Sequence, residues 1–190
     1  MTAPLKAKFD AKISGELAKA LNKKSALNAP RLVKVALNIG IGSRITSGNK
    51  DYSFIEENLI SIAGQKPNVR KARMSVSNFK LREGMPVGLS VTLRGRLMYD
   101  FVERLVNVAL PRVRDFQGIT VKGFDGKGNF CLGIKDVTIF PEINHENLSQ
   151  AHGLQINVCT TAETDHEAYM LLKALGFPFK GEVSAKESNK

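Results

Sequence analysis

Three stretches of this chain alternate apolar and polar residues, and that alternation restricts the fold more than any other feature. In "RLVKVALNIGIG", Val33, Val35, Leu37 and Ile39 fall on one side of an extended strand, with Lys34, Ala36 and Asn38 on the other. "VGLSVTLRG" places Leu89, Val91 and Leu93 inward and Ser90, Thr92 and Arg94 outward, and "LQINVCTT" turns Gln155 and Asn157 outward. Strands of this kind bury one face and wet the other, so they predict an antiparallel sheet covered on one side. Helices to cover it are legible as well. Leu5, Phe9, Ile13, Leu17 and Leu21 recur every fourth residue among lysines, an amphipathic helix over 5–21. A second helix is predicted from the capping box Ser53-x-x-Glu56 through Ile55, Leu59 and Ile62 to Gly64. A third runs over 96–110 through Leu97, Phe101, Leu105 and Val108 and stops at Pro111. The last starts at the box Thr164-x-x-Glu167, uses Ala168, Leu171, Leu172 and Leu175, and ends at Gly176. "FDGKGNF" reads as a glycine-rich turn between two strands, the second being "GIKDVTIF". Helices and strands in mixed order predict an α+β fold, a two-layer sandwich with an antiparallel sheet and helices on one face. One domain is expected over residues 1–180, followed by a loose polar tail at 181–190.

The outward side chains are Lys34, Asn38, Ser90, Thr92, Arg94, Gln155 and Asn157, donors and amides without a carboxylate. Such a face can hydrogen-bond sugars, phosphates and base edges and repels nothing anionic. The charge distribution agrees. Of a net charge of +10, residues 1–95 hold 17 Lys and Arg against 6 Asp and Glu, while residues 96–190 hold 11 against 12. The whole excess lies in the first half and points to an anionic partner, nucleic acid first and a membrane surface second. It is densest between Lys66 and Arg82, where Lys66, Arg70, Lys71, Arg73, Lys80 and Arg82 occur with no acid. That segment reads as a strand passing into an exposed loop. Its one aromatic, Phe79, would either stack or anchor the loop, and anchoring is the preferred reading, since a single buried aromatic is the cheaper way to hold a loop's shape.

Chemistry is harder to find. "NIGIGSRITSGNK" looks phosphate-binding but fails both patterns: Ser47 stands where G-x-x-x-x-G-K-[ST] needs its second glycine, and Ile45 where G-x-G-x-x-G needs its third. In "DGKGN", Lys127 takes the place of a calcium-ligating oxygen. His145, His152 and His166 lack ligand partners at helical spacing, and Cys131 and Cys159 read as small buried hydrophobes. Asp100 and Glu103 are expected to pair with Arg96 and Arg104. No metal, no cofactor and no catalytic activity are expected. The chain has neither a secretory leader nor an apolar run long enough to span a bilayer, and its cysteine use fits a reducing compartment, so a cytoplasmic location and no membrane partner are expected.

Five segments in order, "AGQKPNVRKARMSVSNFKLREGMPVGLSVTLRG", "LPRVRDFQG", "FDGKGNF", "IFPEI" and "FPFK", resemble the bacterial large-subunit ribosomal protein family L-five, from about residue 5 to Lys180. The resemblance implies a structural protein of the ribosome's central protuberance. It would bind 5S ribosomal RNA and attach it to the large subunit beside 23S ribosomal RNA. It would also touch the peptidyl-site tRNA, and the thirteenth small-subunit protein across an intersubunit bridge. Carried over by residue, the 5S RNA contacts would be Asn38, Gln65, Lys66, Thr92 and Arg94, with Lys34 on the same outer face and Gly40 and Gly42 admitting RNA close to the backbone. The tRNA-contacting loop would comprise Arg73, Met74, Ser75, Val76, Ser77, Asn78, Phe79 and Lys80. The chain departs from the family pattern at Met74, where lysine is usual, and at Gln117, Arg96-Leu97 and Asp136-Val137.

Overall fold

A computed structural model of the chain describes residues 4–46, 51–143 and 152–183. His145 and the last seven residues of the expected tail lie outside the described residues. The fold is α+β. Strands β1 (Leu32–Gly40), β2 (Asn68–Lys71), β3 (Pro86–Leu93), β5 (Phe130–Ile134) and β6 (Leu154–Thr160) form an antiparallel five-stranded sheet in the order β2-β3-β1-β6-β5. Two short strands, β4 (Ile119–Thr120) and β7 (Phe179–Lys180), pair in parallel.

The predicted alternation is present. On β3, Leu89, Val91 and Leu93 are buried while Ser90 is half-buried and Thr92 exposed. On β6, Leu154, Ile156 and Val158 are buried and Gln155 is exposed. On β1, Val35, Leu37 and Ile39 are buried, but Val33 is exposed and Leu32 is buried instead. The strand's phase shifts by one residue at its start, which corrects the inward assignment of Val33. The expected strand "GIKDVTIF" is displaced as well. Pairing begins earlier, at Phe130, and Val137–Ile139 forms a 3-10 turn whose Thr138 N–H donates to Asp136 Oδ1 at 2.9 Å.

Two compact units divide the chain, with boundaries that fall inside β1, β3, β5 and β6: Ala36–Thr92 with Gly133–Ile156, and Met1–Val35 with Leu93–Leu132 and Asn157–Lys190. In the first, helix α4 (Ser53–Ala63) buries Ile55, Leu59 and Ile62, each worth about 1.5–3 kcal/mol over leaving it in water. Its expected Ser53 capping box does not form. Tyr52 is the cap residue, and the Ser53 N–H instead donates to Asp51 Oδ1 at 3.0 Å, which lowers the Asp51 pKa. A short helix the alternation gave no sign of, α3 (Gly42–Thr46), follows β1 directly and buries Ile45.

In the other unit, α1 (Pro4–Lys8) and α2 (Ser14–Ala20) are joined by a π turn, Phe9–Ile13, in which the Ser14 N–H donates to Phe9 O. A stripe spaced by four drifts ~40° per step around a 3.6-residue helix. The wider π turn winds it back, so Leu5, Phe9 and Leu17 are all buried. Phe9 meets Tyr99 of α5 (Gly95–Arg104) at 6.3 Å between ring centres, and α2 lies against α6 (Asp165–Ala174). A second π turn, Leu105–Ala109, extends α5, and Pro111 sits within a closing 3-10 turn, Leu110–Arg112. Met98, Phe101, Val102 and Leu105 form the buried stripe, whereas Leu97, assigned inward by spacing, is 43% exposed. Arg96 pairs with Asp100 at 3.3 Å as expected. The cysteines are the opposite of expectation: Cys131 is exposed and Cys159 half-buried, because both occupy the outward phase of their strands.

The turn at "FDGKGNF" is built from acids that serve the backbone. Asp165 accepts the Gly126 and Gly128 N–H groups at 3.0 and 2.9 Å, and Asp125 Oδ1 accepts those of Lys127 and Asn129. Burial raises the Asp125 pKa, but the bonds from Asn129 and Lys127 outweigh it and leave the net shift downward. Gly128 has φ +75°, and a Cβ there would lie 2.5 Å from the Ala162 carbonyl oxygen. Gly128→Ala is therefore expected to cost at least about 1–2 kcal/mol from the left-handed backbone alone, seen as a lower urea midpoint at unchanged slope.

A second expectation concerns pH. His152 lies with Nε2 3.4 Å from Asn58 Nδ2. Burial pushes its pKa below the ordinary 6.5; Gly153 and Asp136 oppose the shift and Arg44 adds to it. Below 6.5 the unfolded chain takes up a proton that the folded one refuses, so stability falls as pH drops from there toward the folded value. Urea midpoints at pH 7.5 and 5.5 should show this loss in the parent and less of it in His152→Gln.

Candidate nucleic-acid interface

The five strands of the main sheet contain no aspartate or glutamate at all. The acids are employed elsewhere, at the start of α4, in the α5 pair Arg96–Asp100, in the Asp125 and Asp165 turn, and in a 2.6 Å pair between Lys23 and Glu167. Each face of the sheet thus presents only apolar, neutral polar or cationic side chains.

In the unit of residues 36–92 and 133–156, Asn38 is half-buried on the outward phase of β1 and Thr92 is exposed on β3. Gln65 and Lys66 are exposed just after Gly64, which ends α4 in the left-handed conformation at φ 66°. Gly40 is exposed, has no positive φ, and would place a Cβ in open space. Nothing in its own fold demands a glycine there. Gly42 begins α3, and its carbonyl accepts the Thr46 hydroxyl at 3.0 Å. In the other unit, Lys34 lies half-buried on the first part of β1, and Arg94 is the exposed, extended cap residue before α5. Among the described residues, Lys34, Asn38, Gln65, Lys66, Thr92 and Arg94 make no side-chain hydrogen bond or ion pair, which leaves their donors available. Ser90 differs. Its hydroxyl accepts the Arg70 Nε–H at 2.8 Å, so an outward residue read from sequence as part of the open face steadies β2 instead.

The basic segment is a strand that passes into a loop, as its composition suggests. β2 pairs with β3 from Asn68↔Ser90 to Lys71↔Pro86, with a register shift between Arg70 and Lys71. Beyond it the loop closes on itself: Val76 and Leu81 exchange backbone bonds at 3.0 and 3.1 Å, Ala72 N–H reaches Met85 O, and the Glu83 N–H donates to Ser75 Oγ. Ser77–Phe79 is a 3-10 turn ended by Lys80 at φ 51°. Phe79 is 70% exposed and Met74 72%. The expectation that Phe79 anchors the loop is therefore overturned. Backbone hydrogen bonds hold the shape, and the ring is left in water, forgoing the ~1.5–3 kcal/mol that burial would bring.

Sequence comparison decides the family. A family model described as "Ribosomal protein L5" matches residues 25–82, and one described as "ribosomal L5P family C-terminus" matches residues 86–179. The chain is also similar to the large ribosomal subunit protein uL5 of Anaeromyxobacter sp. (strain K), 48% identical over 180 residues that cover 95% of this chain and 99% of the relative. It belongs to the ribosomal protein L5 family. Other relatives of the same description come from Nitrosomonas europaea, 51% identical over 88% of this chain and 93% of the relative, and Mesoplasma florum, 48% identical over 94% and 99%. The family is one of structural, non-enzymatic proteins. Departures from its pattern have local explanations: Gln117 Oε1 accepts Lys180 Nζ at 2.8 Å, Arg96 pairs with Asp100, and Asp136 caps a turn. Met74 has none within the fold; it stands exposed.

Because Phe79 touches so little, Phe79→Ala should move stability by less than about 0.5 kcal/mol, whereas Phe101→Ala, at a fully buried ring, should cost about 3–5 kcal/mol. Thermal and urea unfolding of the two variants checks the contrast.

Proposed function

We propose that this chain is a structural RNA-binding component of the large ribosomal subunit, acting in the cytoplasm. It binds 5S ribosomal RNA, attaches it beside 23S ribosomal RNA in the central protuberance, and performs no chemistry. Lys34, Asn38, Gly40, Gly42, Gln65, Lys66, Thr92 and Arg94 contact the 5S RNA. Residues 73–80 contact the peptidyl-site tRNA, and the thirteenth small-subunit protein is met across an intersubunit bridge. Residues 1–180 act as one RNA-binding domain, with 181–190 a polar tail. The observation that carries the reading is a sheet without carboxylates on which the outward Lys34, Asn38 and Thr92, with Arg94 just after β3, make no side-chain hydrogen bond or ion pair among the described residues. Recognition on this reading combines shape, backbone approach at Gly40 and phosphate neutralisation, so the affinity contains a counterion-release term.

The test is a titration of the full chain against 5S RNA and a control RNA of equal length at two salt concentrations. The expected result is preferential 5S binding with a log–log salt slope on the order of −4 to −5, as about five or six phosphate contacts would give. Asn38→Ala combined with Arg94→Ala should abolish that preference while the fold's thermal midpoint stays in place. Equal affinity for both RNAs, indifferent to the double substitution, would sink the assignment of the sheet.

A further inference from the structure

We propose that Phe79 is a stacking platform for an unpaired RNA base, so that the loop of residues 72–85 recognises looped or single-stranded RNA and not phosphate charge alone. This rests on the reading that the loop meets RNA and adds how it does so. The ring is 70% exposed, and among the described residues no aromatic or cation packs against it. It is nevertheless presented from a closed turn: the Lys80 N–H donates to Ser77 O at 2.9 Å, and Val76 and Leu81 bond mutually just outside it. A ring held this way loses little backbone freedom when a ligand arrives.

The neighbouring charges select the ligand. Arg73, Lys80 and Arg82 flank Phe79 along the loop, and Glu83 is the one acid between residues 66 and 85. A flat apolar surface among cations suits a partner that is both planar and anionic, which describes a nucleotide whose base stacks while its phosphates are neutralised. Paired RNA hides its base faces in the helix, so the partner must offer an unstacked base. A bilayer would call for a broader apolar face than two exposed side chains, Phe79 and Met74, on this loop. An acidic peptide would satisfy the cations and leave the ring idle.

The chain contains no tryptophan, which makes a direct test simple. Phe79→Trp creates a lone fluorescent reporter at the ring's position, and Leu27→Trp, at a site 86% exposed, serves as control. Each full-length variant is titrated with an uncharged tRNA, with an RNA duplex of the same length, and with anionic vesicles and poly-glutamate. The tRNA should quench the tryptophan at position 79 and spare the one at 27, and the duplex should bind without quenching. Phe79→Ala should weaken tRNA binding by about 5- to 100-fold at unchanged salt slope, with Phe79→Tyr restoring it. Arg73→Gln plus Lys80→Gln should instead flatten the slope by about 1–2. If Phe79→Ala binds like the parent while the charge variant is weakened, stacking is wrong and the loop still meets RNA. If tRNA does not bind, or binds with neither variant impaired, the loop reading falls and takes this inference with it. Equal quenching by duplex, vesicles or peptide overturns the choice of an unpaired base.

Discussion

Side chains on an extended strand repeat every two residues, so a slip of one position would exchange the whole of β3 between core and water. Leu89, Val91 and Leu93 cannot tolerate that exchange, and neither can Leu154, Ile156 and Val158 on β6. The buried phase thereby dictates which residues are left outward. Once Leu93 is in the core, Thr92 has no choice but solvent. The outward face proposed to meet RNA needs no separate folding instruction: the hydrophobic register that stabilises the protein also aims its donors. The absence of carboxylates from all five strands is the remaining condition, since a single outward acid would act against a phosphate at close range.

The helices face a different geometric problem. Residues spaced by four spiral around an α-helix and would carry Leu17 away from the face that holds Leu5. The π turns at Phe9–Ile13 and Leu105–Ala109 absorb that drift by widening one turn in each helix. Phe9 and Tyr99, on the two helices concerned, end up in ring contact.

What could be foreseen from the residues follows the same physics. Strand alternation, the Thr164 cap with its 3.3 Å bond to the Glu167 N–H, and the terminator Gly176 at φ +95° all depend on local chemistry, and all were legible. The errors occur where a distant or competing partner decides. Ser53 looked like a cap until Asp51, two residues earlier, supplied the acceptor for its N–H. Leu97 fits a spacing stripe, but the buried face of α5 runs through Met98 and Phe101. For Phe79, anchoring is preferred over stacking because one buried ring is a cheap way to hold a loop; that reasoning fails where backbone bonds already close the loop. Cys131 and Cys159 illustrate that strand phase overrules residue type. For the candidate site, the outward positions were legible from period two, whereas the pairing of Arg70 with Ser90 depends on cross-strand register that no single strand reveals.

The shape of β2 has one further consequence. It lies at an edge of the sheet, where unpaired backbone groups invite another strand to add on. β2 is four residues long, its register breaks between Arg70 and Lys71, and it carries both of those cations. Short length, a local kink and like charge are each deterrents to edge-to-edge pairing. Pairing of two copies of the chain along this edge is therefore disfavoured. The cations of this edge thus have a second effect, discouraging the strand addition that leads to aggregates.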